Sequence, residues 1–273
     1  LDWDEERTFG VEIEGVNLTQ RDVADHLNAS GISCSVEGYN QETRRHWKVV
    51  PDGSLRCSRG AFFTFELVSP PLHGVAGLEE LAKVLKLLKD AGARMNRSCG
   101  LHVHWDVTHF TRRQLLEVAL SYNDYLLLFK HMLREDRLHS NFCRPHDIRR
   151  EHSTVGSFEN RWRYAISDRY FAVNLQAFTR YGTVEFRHHQ GTLDPKAVLD
   201  WVVWTGQFVF AVAQRPRVLF SQPVVSTERM LWWIWGKAHG KPEKPGLVLE
   251  IERRLLKKLG VESERRTRRA AVA

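Results

Sequence analysis

Three stretches of this 273-residue chain put ionisable side chains one pleat apart, and a fourth buries a carboxylate in an apolar run. In Ser98–Asp106 (Ser-Cys-Gly-Leu-His-Val-His-Trp-Asp), strand alternation sends His102 and His104 to one face and Leu101, Val103 and Trp105 to the other. Thr8–Glu14 does the same with Glu12 and Glu14 opposite Val11 and Ile13. Gly182–His188 places Glu185 and Arg187 opposite Val184 and Phe186. Ala61–Ser69 is apolar on both faces, which predicts a central strand, and Glu66 within it is expensive to bury unless paired or bound to a metal. Taken singly, these are ordinary: solvated histidines, an acidic edge, a self-contained acid–base pair. Taken together, carboxylates with one or two imidazoles and no thiolate suit a hard divalent ion such as Mg²⁺ or Mn²⁺. So many carboxylates would repel one another, which favours more than one ion. Arg187 adds a fixed positive charge for phosphate or carboxylate. Asp52, in Pro51-Asp52-Gly53-Ser54, reads first as a turn former and second as a catalytic group. There is no Walker motif, Gly-x-Gly-x-x-Gly, Gly-x-Ser-x-Gly or His-Glu-x-x-His. A nucleotide, if bound, is then held through metal and arginine and not by a glycine-rich loop.

The elements that must position these groups follow from periodicity and capping. Asn17 or Thr19 caps a helix to about Ala29, with Gly31 as its stop, followed by strands at Ile32–Glu37 and Trp47–Val50. Leu78, Leu81, Leu85 and Leu88 mark an amphipathic helix over Gly77–Ala93, and Thr111 caps a second over Arg112–Arg137. His139–Ser157 reads as a long polar loop or lid whose histidines (His139, His146, His152) are solvated. Tyr170–Phe178 reads as a strand containing Asn174, paired with Gly182–His188 across Arg180-Tyr181-Gly182. Pro195 starts a hydrophobic helix to about Gln214, its Trp201, Trp204 and Phe208 facing the core. Helices are expected over Ser226–His239 and Gly246–Leu259. The expectation is an α+β fold with a mostly antiparallel sheet, helices packed on one face and the site on the other. It forms one domain over residues 1–260, with a basic, disordered tail at 261–273.

A hydrophobic fraction of 42%, nine Trp and fourteen Phe describe a folded chain with an ample core. The net charge of +7 and pI of about 9.4 suit a phosphate-bearing ligand or an acidic partner. Cys34, Cys57, Cys99 and Cys143 lie far apart, which argues against a zinc finger or disulfide framework and for reduced thiols in a cytoplasmic protein. No apolar run reads as a membrane span, Val202–Val212 being short and interrupted, and no secretory signal appears in this sequence.

Six motifs resemble, in order, the amidoligase family. They are Phe-Gly-Val-Glu-Ile-Glu (9–14), Asp-Gly-Ser (52–54), Phe-Glu-Leu-Val-Ser-Pro (65–70), Cys-Gly-Leu-His-Val-His (99–104), Arg-Tyr-x-x-x-Asn (169–174) and Thr-Val-Glu-Phe-Arg…Gly-Thr (183–192). That family is a branch of the carboxylate–amine ligases with a catalytic domain of the glutamine synthetase and glutamate–cysteine ligase type. The resemblance spans roughly Thr8 to Trp204. It implies a curved antiparallel sheet binding ATP and two or three Mg²⁺ or Mn²⁺ ions. By position it implies Glu12, Glu14, Glu66, His102 and Glu185 as metal ligands, and His104 and Arg187 as contacts to nucleotide phosphates or an acyl phosphate. Asp52 then falls near the amine site, and Arg169 and Asn174 hold substrate or phosphate. The activity implied is ATP-dependent amide-bond formation through an acyl phosphate, joining a carboxylate to an amine on an amino acid, peptide or protein side chain. Relatives assemble into rings, so an oligomer is compatible.

Two other classes share part of this pattern. A metal-dependent amidohydrolase also uses His-x-His, but on the first strand of a barrel, whereas here it follows two glutamate strands. A non-catalytic protein would use the basic surface and the Arg265–Arg269 tail for nucleic acid or another partner; deleting the tail separates that reading from a ligase.

Overall fold

The alternation at Thr8–Glu14 extends into a nine-residue strand, β1 (Thr8–Val16), with Phe9, Val11 and Ile13 in the core. The computed structural model describes residues 6–129, 132–146 and 157–214, together with 250, 253, 254 and 257. After β1 come α1 (Gln20–Ala29), β2 (Cys34–Val36), β3 (Trp47–Val50), a 3₁₀ turn at Ala61–Phe63, β4 (Thr64–Val68), β5 (Leu72–His73), α2 (Gly74–Asp90) and β6 (Gly100–Asp106). The rest is α3 (Arg112–Asp124), α4 (Leu126–Phe129), α5 (Glu135–Leu138), α6 (Phe158–Ala165), β7 (Val173–Asn174), α7 (Gln176–Tyr181), β8 (Thr183–Gln190) and α8 (Pro195–Gln214).

One sheet runs β2-β3-β4-β1-β6-β8-β7, with β5 paired to the start of β1. Every pairing is antiparallel except β2 with β3. The fold is thus the expected mixed α/β arrangement with a mostly antiparallel sheet. Its apolar face packs against α2, α3 and α8, through residues such as Leu81, Leu85, Leu115 and Phe208. Helix α8 sits close to the sheet because position 206 is glycine: a Cβ there would fall on the Trp105 ring. Trp105 Nε1–H also donates to Thr205 Oγ1 at 3.1 Å. Among the described residues, α8 alone has the length and apolarity of a membrane span, but 89% of that stretch is buried inside the protein.

Several boundaries follow the sequence closely. Thr19 and Thr111 form capping boxes with Asp22 and Gln114, β3 is Trp47–Val50, and α8 begins at Pro195. Others differ. The Gly77–Ala93 helix starts at Gly74 and ends at Asp90. The Ala61–Ser69 strand begins only at Thr64. The Arg112–Arg137 helix breaks at Tyr125 (φ −98°, ψ 6°), which is buried edge-on to Phe208 of α8. That break lets α5 reach β8. The Tyr170–Phe178 strand is cut to Val173–Asn174, because Asn174 Oδ1 accepts the Gln176 N–H at 2.9 Å and turns the chain into α7. The β7–β8 pairing is as expected, but a helix closed by left-handed Gly182 (φ 70°) connects the strands, not a three-residue turn. His146 is not solvated: it stacks on Phe171 at 4.0 Å and its Nε2 bonds the Val173 carbonyl at 2.7 Å. His152, Ser226–His239, most of Gly246–Leu259 and the 261–273 tail lie outside the described residues.

Candidate active site

Strand register brings the ionisable residues together. Glu14 on β1 lies directly opposite Glu66 on β4, Glu12 opposite His102 on β6, and His104 opposite Glu185 on β8. Asn174 on β7 is opposite Glu185. Since side chains of directly paired residues share a face, these residues form one band across five strands, on the side away from the helices. Arg187 completes the band through a bulge: Arg187 and His188 together oppose His102, the pairing shifting between Leu101 and Val103. The bulge keeps Arg187 with Glu185 on the site face while His188 turns to the core, bonding Tyr122 Oη at 2.9 Å.

Three overlapping groups of ligand atoms lie within 4.8 Å of one another: Glu12, Glu66 and His102; Glu12, His104 and Glu185; and Glu14, Asp52 and Glu66. Glu12 is shared, its Oε2 accepting from His102 Nδ1 at 2.8 Å while its Oε1 lies 3.3 Å from His104 Nε2. His104 Nε2 is buried, makes no hydrogen bond, and aims at these carboxylates, while Nδ1 is held by Thr183 Oγ1 at 3.0 Å. Glu14 Oε2 accepts the Gly100 N–H at 2.5 Å, and Asn174 Nδ2 donates to Glu185 Oε2 at 2.6 Å. Arg187 pairs with Glu185 and comes within 3.5 Å of His102 Nδ1.

The electrostatics split the carboxyls. Burial opposes ionisation of Glu12, but its hydrogen bond with His102 and the adjacent His104 outweigh that and hold it well below the usual range. Burial likewise opposes Glu185, where Arg187 and His104 prevail and lower it. Glu66 has less such help: burial first, then the charges of Glu12, Glu14 and Asp52, outweigh the Arg187 charge and raise it well above the normal value. For His104, burial acts downward and the Glu185 and Glu12 carboxylates outweigh it, raising its pKa. This donor set fits hard divalent ions: carboxylates, two imidazoles, an orphaned ring nitrogen, and one carboxyl that ionises only at high cost without a cation. No cysteine belongs to it, and burial pushes the Cys34 and Cys99 thiols up to about 12 and 11.

Two cavities open off the band, of about 290 and 380 Å³. The first is lined by Glu12, Glu66, His104 and Glu185, the second by Glu14 and His102; Tyr39, Asp52, Arg169 and Arg187 border both. All ten residues singled out in the sequence therefore converge, Asn174 and Arg169 included. Asp52 keeps its turn role, accepting the Ser54 N–H at 2.5 Å, while its carboxyl joins Glu14 and Glu66. His104 groups with the Glu12 and Glu185 carboxylates. The sequence reading missed Lys48, Tyr39 and Arg137. Lys48 is buried, lines the first cavity and donates to Asn40 Oδ1 and the Glu42 carbonyl at 2.7 and 2.6 Å, anchoring the loop that carries Tyr39. A lysine in apolar Trp-Lys-Val-Val is detectable by the argument that found Glu66. Tyr39 Oη meets Arg169 at 3.4 Å, a contact with no sequence signal.

A sequence model of the family described as "Putative amidoligase enzyme" matches residues 5–209. No curated protein matches the chain. Among solved structures, the crystal structure of a bifunctional glutathione synthetase from Pasteurella multocida is similar over 98% of this chain and 50% of that one, at 14% identity and a TM-score of 0.42. The chain thus spans half the length of that protein.

Proposed function

The chain belongs to the amidoligase family, and from that premise we propose that it is an ATP-dependent carboxylate–amine ligase with a glutamine synthetase-type catalytic sheet. The observation that carries the reading is the register: opposed pairs Glu14–Glu66, Glu12–His102 and His104–Glu185 build three adjoining ligand groups on one face. Glu12, Glu14, Glu66, His102 and Glu185 would hold two or three Mg²⁺ or Mn²⁺ ions, with His104 and Asp52 as further donors. Bound there, divalent ions would neutralise phosphate charge and orient the transferring phosphoryl group.

The residues suit the two steps of such a ligase. In the first, a substrate carboxylate oxygen bonds to the γ-phosphorus of ATP and ADP leaves, giving an acyl phosphate. Arg187, held by Glu185 with its charge strengthened, offers a fixed guanidinium to the charge that develops on phosphorus. In the second, an amine attacks the acyl carbon, phosphate leaves, and the amine proton passes to a base. Asp52, which borders both cavities, would orient the amine and accept that proton. Arg169 and Asn174 line the first cavity; Arg169 would bind phosphate or carboxylate, and Asn174 fixes Glu185. No protein nucleophile is needed.

The test is Mn²⁺ binding by electron paramagnetic resonance and phosphate release from ATP in a mixed pool of carboxylic acids and amines. Wild type is compared with Glu12→Gln and His102→Ala. The expected result is metal-dependent release that each substitution lowers by about 100-fold or more. A chain that binds neither Mn²⁺ nor ATP would overturn the reading.

A further inference from the structure

The loop that joins β2 to β3 reaches across the whole site. Strands β2 and β3 lie at one edge of the sheet and β7 at the other, with β4, β1, β6 and β8 between them. Yet Gln41 Oε1 accepts from Arg180 Nη1 at 2.6 Å, and Tyr39 Oη accepts from Arg169 Nη1 at 3.4 Å. Arg169 precedes β7, and Arg180 belongs to α7, which follows it. Glu12, Glu66, His104 and Glu185 line the first cavity from the sheet, while residues 39–44 line it from the loop. The loop is therefore a strap over that cavity, rooted at one edge of the sheet and fastened at the other.

Its two ends are held unequally. At the root, Arg44 clasps Glu37 through Nε and Nη2, both at 3.0 Å, and Asn40 Nδ2 donates to the same carboxylate at 2.8 Å. Buried Lys48 adds bonds to the Asn40 and Glu42 carbonyls at 3.4 and 2.6 Å. At the far end the strap offers only two neutral groups, joined to each other by Gln41 Nε2 and Tyr39 Oη at 3.3 Å. Tyr39, Gln41, Glu42 and Thr43 are exposed, and no residue from 37 to 46 belongs to the hydrophobic core. A segment held by polar contacts alone opens at low cost, and its weaker attachment gives way first. Arg169 and Arg180 form no ion pair with a carboxylate among the described residues. A charged acceptor bonds a guanidinium about twice as strongly as a neutral one, so an arriving anion outcompetes Tyr39 and Gln41. Space points the same way. The covered cavity holds about 290 Å³, the lower end of the roughly 300–1,000 Å³ of ligand pockets, so all but the smallest ligands need the strap lifted.

We propose that residues 39–44 are an anion-released gate on the first cavity. In the empty protein Tyr39 and Gln41 occupy the Arg169 and Arg180 guanidiniums and hold the gate shut. A phosphate or carboxylate that takes over these two arginines frees the strap, which swings on the Glu37–Arg44 clasp. The gate does not depend on the ligase reading: it responds to the charge of the ligand and not to its chemistry.

The test reads the strap directly. Nitroxide labels at Thr43→Cys on the strap and Thr179→Cys on α7, both exposed positions, are placed in the full chain carrying Cys57→Ser, the other three cysteines being buried. Pulsed electron–electron double resonance then measures their separation in Mg²⁺, at matched ionic strength, with no added anion, with pyrophosphate and with glutarate. The expected result is one short separation without anion and a longer one with it. Opening by pyrophosphate or by glutarate supports the gate, and the one that acts tells phosphate from carboxylate. Gln41→Ala should raise the open-to-closed ratio about fivefold without any anion, the worth of one neutral hydrogen bond. Arg180→Gln should open the strap likewise and blunt its response to the anion. Hydrogen exchange over residues 37–46 of the unlabelled chain gives a second reading, expected to quicken with the anion and in Gln41→Ala. A separation that neither anion changes, or that an anion shortens, overturns the gate. So does a Gln41→Ala strap as closed as that of the wild type.

Discussion

Glu66 shows how one side chain can oppose the fold and serve the site. It is almost buried, lies opposite Glu14, and has no cationic partner at ion-pair distance among the described residues. Its folded pKa is raised, so the folded state holds its proton more tightly than the unfolded chain does. The sign follows: the contribution of Glu66 to the metal-free fold is fully present below the unfolded carboxyl pKa of about 4.3 and is lost as pH climbs through the raised value. Glu66→Gln removes that penalty. In chelator at pH 7.5 the variant is expected to melt about 2–4 °C above wild type, corresponding to roughly 1 kcal/mol for a chain of this size. The gap should shrink towards pH 4. With Mn²⁺ the order should reverse, because wild type gains a ligand that the amide does not supply. Melting curves at several pH values, with and without Mn²⁺, check this; a variant less stable than wild type in chelator would refute it.

At the scale of elements, Asn174 makes two connections at once. Its Oδ1 starts α7 through the Gln176 N–H, and its Nδ2 holds Glu185. Asn174→Asp separates them: the acceptor for α7 survives, but the donor to Glu185 becomes a second carboxylate against it. Because both positions are buried, the like charge should lower metal-free thermal stability by about 3 kcal/mol or more, whereas Asn174→Ala loses both bonds but adds no charge and should cost about 1–2 kcal/mol. Mn²⁺ affinity should move the other way, rising in Asn174→Asp because a cation relieves the added charge, as competition calorimetry would show. The same element marks the limit of what sequence discloses. Alternation exposes Glu12, Glu14, His102, His104, Glu185 and Arg187, because a strand buried on one face has a period of two that any reader can count. Glu66 is legible by contrast with its apolar neighbours. The cut at Asn174 and the break at Tyr125 are not: the first rests on a local bond to the Gln176 N–H that the strand pattern does not display, the second on packing against Phe208, distant in sequence. The bulge at Arg187–His188 depends on Arg137, fifty residues away, and the grouping of Asp52 with Glu14 depends on where a loop lands.

For the whole molecule, titration acts from both ends of the pH scale. His146 and His188 are held neutral in separate parts of the interior, each lowered to about 4. Burial is the main cause in both; the Arg137 charge adds to it for His188, while bonds to the Val173 and Arg137 carbonyls partly oppose it. A histidine whose folded pKa lies below its unfolded value of about 6.5 contributes stability fully above pH 6.5 and loses it as pH falls towards 4. Each is worth up to roughly 3 kcal/mol, a large share of the ~5–15 kcal/mol that holds a typical fold. Glu12 and Glu185, both lowered, add to the loss below about pH 4.5. Glu66 and His104 are raised and work in the opposite sense, weakening the metal-free fold as pH rises. Stability of the apo chain is therefore expected to peak between these limbs: near pH 5.5 the two histidines together take up nearly two protons on unfolding, Glu66 releases about one, and the net slope approaches one proton taken up. Mn²⁺ should lift the alkaline limb and leave the acid limb in place, because His146 and His188 face the core and the metal ligands do not. Urea titrations from pH 4 to 8, with chelator and with Mn²⁺, give both limbs directly. A profile flat from pH 4 to 6.5 would mean that the two buried histidines are already charged in the folded state.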